Sequence, residues 1–174
     1  SMDAGFVFAQ LSKNLENACI KARRYGLAAA RIIVFLRKQD FTSEGVELKL
    51  TRPTAYPVEM FGLLRQGFEQ VFQPRALYRQ TGVVLSGLVA ESGVQFSLFD
   101  DTTKIAKMAR VYSVVDELSA KYGKHTIQHA TSLPTKLQAQ HEGERGDVPV
   151  RRADLFKGET RRQRLGLPLL HIKV

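Results

Sequence analysis

The sequence has 174 residues, 44% of them hydrophobic, and a formal net charge of +9. That is apolar content for one packed domain, with or without an appended segment, and no run of eighteen apolar residues is present to span a bilayer. The charge favours polyanionic partners, because cations that neutralise phosphates release counterions; a domain that is merely soluble this way is the plainer alternative.

In chain order, Ser1-Met2 precedes an abrupt helical pattern like a cloning scar, and the chain reads as an excised piece of a longer protein. Phe8, Leu11, Leu15, Ala18, Ala22 and Tyr25 recur at three- and four-residue steps and predict a helix over Phe6–Tyr25, stopped by Gly26. Cys19, the only cysteine, lies inside it; no intrachain disulfide is possible, and with no signal peptide a reducing, cytoplasmic compartment is expected. Ala29–Arg37, AARIIVFLR, predicts a strand covered on both faces. Val46–Arg52 alternates, with Val46, Leu48 and Leu50 opposite Glu47, Lys49 and Thr51, and completes a hairpin. Pro57 opens a second helix whose stripe is Met60, Leu63, Leu64, Phe68, Val71 and Phe72, closed by Pro74 and weakened by Gly62 and Gly67.

A third strand follows over Leu77–Leu88, with Val83 and Leu85 on one face and Arg79, Gln80, Val84 and Ser86 opposite. Glu91-Ser92-Gly93 is a loop signal, after which Gln95-Phe96-Ser97-Leu98-Phe99 runs into Asp100-Asp101. Thr102 is the expected cap of a third helix, Lys104–Tyr122, with the stripe Ile105, Met108, Val111, Tyr112, Val115 and Leu118 and a stop at Gly123. His125–Thr131 reads as a short strand, Pro134–Val150 as a mobile loop, and Arg151–Val174 as a basic tail.

The order α-β-β-α-β is that of an α+β, ferredoxin-like β-α-β-β-α-β unit without its first strand. That strand is central in the topology, so an interior slot is expected in the sheet, left open or filled by the strand-like Leu169–Val174. The divisions are a sheet-and-helix domain over residues 3–91, a peptide loop over 92–101, and an extension of helix, strand, loop and tail over 102–174.

With the helices on one side, the opposite sheet face carries Lys49, Thr51, Arg79 and Gln80, with Arg37, Lys38 and Arg52 at strand ends. Scattered cations, hydroxyls and amides suit a phosphate backbone better than base edges. A sheet for single-stranded RNA would show stacking aromatics, and only Phe35 is available; a solvated face is the plainer alternative. The tag Gln95, Ser97, Leu98, Phe99 offers one amide and two large apolar anchors, the form of a peptide that plugs a partner's pocket. Its alternative is a staple between Leu98, Phe99 and the third helix. No catalytic constellation is legible. Asp116 and Glu117 are adjacent on a helix and point in different directions, reading as a solvated face. His125 and His129 share a strand face without a further ligand, and no phosphate loop or nucleophile set appears.

Three blocks carry a resemblance: Y-R-Q-T-G-V-V-L-S-G-L (Tyr78–Leu88), Q-F-S-L-F-D-D (Gln95–Asp101) and V-V-D-E-L-S-A-K-Y-G-K-H-T-I (Val114–Ile127). With the helix–hairpin–helix ahead of them they resemble the C-terminal part of Y-family lesion-bypass DNA polymerases of the UmuC/DinB (ImpB/MucB/SamB) type, over essentially the whole chain. The resemblance implies a little-finger domain that grips template–primer duplex DNA through its sheet, and a peptide at Gln95, Ser97, Leu98 and Phe99 that docks on the replicative sliding clamp. It implies an error-prone polymerase acting in DNA repair and SOS damage tolerance, with catalytic carboxylates and Mg²⁺ in a palm domain outside this sequence and no cofactor within it. Two positions depart from the family's pattern: an amide, Gln80, replaces one cation and Val84 replaces another, which shifts weight to Lys49, Arg52, Arg37 and Lys38. Two other readings stay open, a protein–protein assembly module binding a recombinase filament or accessory subunit, and an RNA-binding ferredoxin-like domain. No membrane partner is expected.

Overall fold

Asp3 accepts hydrogen bonds from Gly5 N at 2.8 Å and Phe6 N at 3.3 Å, meeting two amides that the start of a helix leaves unpaired. Helix α1, Ala4–Arg24, begins there, two residues ahead of the periodicity, and ends in a turn containing Lys21, Arg23 and Arg24, where cations suit the dipole. Its buried stripe is Val7, Leu11, Leu15, Cys19 and Ala22; Tyr25, at its end, stays exposed. The structure is a computed structural model that describes residues 1–94, 100–123 and 125–137. These belong to one unit, Ser1–Gln138; the other, Ala139–Val174, lies outside the described residues, and with it the expected basic tail and the strand at Leu169–Val174.

Strands β1, Leu27–Lys38, β2, Ser43–Thr54, and β3, Tyr78–Ala90, form one antiparallel sheet in the order β2-β1-β3. The class is α+β, as the pattern predicts, but the expected interior slot is closed. β1 pairs with β2 on one side, for example Val34 with Val46, and with β3 on the other, Val34 with Val83. The hairpin's first strand is therefore itself the centre of the sheet. It is not covered on both faces: Ile32, Val34 and Leu36 are fully buried beneath the helices, while Arg31, Ile33, Phe35 and Arg37 alternate with them on the open side.

Helix α2, Pro57–Val71, packs on the same side as α1, its Met60, Leu64 and Val71 joining Leu11, Leu15, Ile32, Val34 and Leu36 in the core. Gly67 belongs to this contact. A Cβ there would stand 3.0 Å from both Val34 Cγ2 and Leu48 Cδ1, so the absent side chain lets the helix close on the sheet. Helix α3, Thr102–Tyr122, is capped by Asp101, whose carboxylate accepts from Lys104 N at 3.0 Å, and not by Thr102. The expected strand at His125–Thr131 is absent: the segment forms turns and a short 3-10 turn, Ala130–Ser132, followed by a four-residue helix, α4, Pro134–Leu137, at the start of the expected loop. The reason is a buried carboxylate on α1. Glu16 accepts from Ser132 Oγ at 2.8 Å and from His129 N at 3.2 Å, and His125 Nδ1 lies 3.5 Å from it. Two donors, the Ser132 hydroxyl and the His129 amide, converge on one buried acceptor with the His125 ring beside it, and they curl the segment where a strand would spread them.

Candidate nucleic-acid interface

Alternation along β1 sets the open face in cross-strand rows. Arg31 stands between Lys49 and Ser86, Ile33 between Glu47 and Val84, Phe35 between Gly45 and Gly82, and Arg37 between Ser43 and Gln80. Phe35 does not stand up from this surface. A Cβ on Gly82 would lie 2.1 Å from Phe35 Cζ, so the ring covers the glycine and only glycine admits it there. A ring laid against the backbone offers little to a stacking base, which counts against a single-strand platform.

The placement of Arg79 depends on an irregularity. Arg37 pairs with Gln80 but Lys38 pairs with Tyr78, so Arg79 is the extra residue of a bulge. Unbroken alternation from Val83 and Leu85, which pack on the core, would turn Arg79 towards the helices. The bulge restores Tyr78 to the core and leaves Arg79 beside Gln80 on the open side. There the guanidinium carbon of Arg79 sits 4.2 Å from the centroid of the exposed Phe41 ring, with that of Arg37 at 5.5 Å and Arg37 Nε donating to Phe41 O at 3.3 Å. The ring in the β1–β2 turn thus holds two cations side by side.

Lys49 and Thr51 are exposed on the same face. Arg31, in the middle of the face, was hidden in the sequence by an apolar run, though strict alternation along Ile32, Val34 and Leu36 would have exposed it. It donates to Glu47 at 3.0 Å, both side chains about half exposed, a pair worth little in solvent. Among the described residues four cations of the sheet, Arg31, Arg37, Lys49 and Arg79, therefore lie on this face against one carboxylate, Glu47. Lys38 and Arg52 do not join them. Lys38 Nζ donates to Glu44 at 2.8 Å and Gln73 at 2.7 Å on the helix side, and Arg52 is bound to Glu59 of α2 with Asp100 at 4.0 Å. The tag residues Gln95, Ser97, Leu98 and Phe99 lie outside the described residues.

Behind the helices, Asp116 is no solvated bystander. It takes a bidentate pair from Arg23, Nε and Nη2 each at 2.7 Å, while Arg23 Nη1 donates to Ala55 O at 2.9 Å and its guanidinium lies 4.7 Å from the Tyr112 centroid. Arg23, with a side chain only 8% exposed, thereby anchors α3. Arg23→Ala is expected to lower unfolding free energy by about 3 kcal/mol in urea titrations, since it strands a carboxylate and a carbonyl. Tyr112 Oη and His129 Nε2 lie 2.9 Å apart. Burial holds the His129 pKa below its ordinary value, with Glu16 opposing and Arg23 adding to the shift. A histidine depressed in the fold contributes fully above its ordinary pKa of about 6.5, and the contribution fades as pH falls below that value. Melting temperature should therefore drop on acidification from neutrality, and His129→Gln should flatten that slope. Burial pushes the Cys19 thiol up to about 12, which removes it as a nucleophile at neutral pH. Among the described residues no cluster of His, Cys, Asp and Glu fits a metal ion, and no helix is long and apolar enough to cross a membrane.

Residues 4–98 match the impB/mucB/samB family C-terminal domain. The chain is 28% identical over 130 residues to "DNA polymerase IV" of Pelotomaculum thermopropionicum, covering 74% of this chain and 32% of that protein. It is 25% identical over 96 residues to "Protein UmuC" of Salmonella typhimurium, covering 55% of this chain and 23% of that protein. The chain thus spans a third or less of the length of these curated relatives. No solved structure matches it.

Proposed function

The chain belongs to the impB/mucB/samB family, as the C-terminal region of a Y-family translesion DNA polymerase, and from that premise we propose that its open sheet face grips duplex template–primer DNA. The observation that carries this reading is the grouping of Arg31, Arg37, Lys49 and Arg79 on a surface that no described element covers. Cations spread over a flat face, with Thr51 and Gln80 among them, suit phosphates along a ribbon and carry no base-reading pattern. The parent protein is then a nucleotidyltransferase of DNA repair in the cytoplasm, its carboxylates and Mg²⁺ in a palm domain, while this region holds the substrate. The tag Gln95, Ser97, Leu98, Phe99 tethers it to the sliding clamp.

Titration of a labelled duplex tests the grip. Four phosphate contacts give a log–log salt slope near −3.6, so affinity should fall roughly a hundredfold between 50 and 200 mM salt. Binding that is absent at low salt, or indifferent to salt, would favour the assembly-module reading instead; preference for single-stranded RNA would favour the third.

A further inference from the structure

We propose that the groove between α3 and the helix pair α1–α2 receives an acidic amphipathic helix from a partner protein. The site is separate from the sheet face and rests on different observations. Tyr112 is the only buried residue of α3, fixed by the Tyr56–Tyr112 stack at 5.3 Å beside the Arg23–Asp116 pair; Ile105, Met108, Val115 and Leu118 of its stripe are half-buried, and Val111 stays exposed. A groove of about 430 Å³ opens beside it, with Ile20, Val58, Met108, Val111, Val115 and Ile127 in its walls. Val58, Val111 and Ile127 are 49%, 53% and 44% exposed. Aliphatic walls with a few polar groups at their edge are the form of a binding cleft.

Charge selects the occupant. Lys104 and Lys107 belong to the same stripe, three residues apart and one to two turns from Val111, so both ammonium groups border the apolar strip. Glu16, the one acidic residue of the lining, is already engaged by Ser132 and His129. Gln128 also lines the groove, and its Nε2 is buried without a hydrogen-bond partner, a donor waiting for an acceptor. A guest with large apolar side chains at i, i+3 or i+4, and i+7 and carboxylates along one flank meets all of these features, as helix-in-groove recognition requires.

The probe is a labelled helical peptide of about four turns with Leu on the apolar positions and Glu on the flank, compared with the same peptide carrying Lys on the flank. Anisotropy titrations should show the Glu peptide binding more tightly, with methyl shifts at Met108, Val111, Val115 and Ile127. Lys104→Glu with Lys107→Glu should weaken the Glu peptide about tenfold and reverse the preference. Val111→Asp, at an exposed position that leaves the melting temperature unchanged, should abolish binding. Equal affinity for both peptides, shifts elsewhere, or tighter binding after Leu98→Ala with Phe99→Ala, which would make the chain's own tag the occupant, would each overturn the proposal. So would self-association that competes with the peptide, or duplex DNA that protects the same methyls.

Discussion

Lys49→Ala combined with Arg79→Ala should cut duplex affinity tenfold or more at moderate salt and flatten the salt slope by about two units, one for each lost phosphate contact. Both residues are exposed and in no ion pair among the described residues, so the double variant removes charge without stranding a partner. The informative control has the same net charge. Lys38→Ala with Lys121→Ala also removes two cations, but one is tied to Glu44 and Gln73 and the other is on α3. If general positive charge drew the DNA, the two doubles would behave alike. If the sheet face does, the control keeps its slope. An identical loss in both would end the interface proposal.

The second large effect concerns the tag. Leu98→Ala with Phe99→Ala should eliminate capture by the sliding clamp, since two apolar anchors of hot-spot quality together account for roughly a thousandfold in affinity. DNA titrations of that variant should match those of the unmodified chain. Retained capture would refute the tether. A fall in melting temperature together with intact capture would instead support a staple between the tag and α3.

Much of this architecture was readable in advance because periodicity reports which side of an element is apolar. The α-β-β-α-β order, and the alternation that turns Lys49 and Thr51 away from the helices, follow from spacing alone. What spacing omits is partnership. Lys38 and Arg52 look like surface cations in sequence, yet Glu44 meets Lys38 across the hairpin, and Gln73 and Glu59 reach the two only once α2 lies on the sheet. Asp116 looked solvated because its partner, Arg23, is ninety-three positions away. The turns at His125–Thr131 answer to Glu16, a demand that no local propensity encodes. Sheet order escaped for a related reason: hairpin composition shows that two strands pair and leaves open which of them takes a second neighbour.

The irregularity where Lys38 meets Tyr78 has one more consequence. It works as a parity switch, since residues on either side of it obey opposite odd–even rules. Closing it at constant length, with Lys38 opposite Arg79, would preserve every residue of the strand while exchanging the tyrosine and the arginine between interior and solvent. The binding surface and the hydrophobic interior are thus coupled through one extra residue, and loss of the bulge at unchanged length should impair both at once.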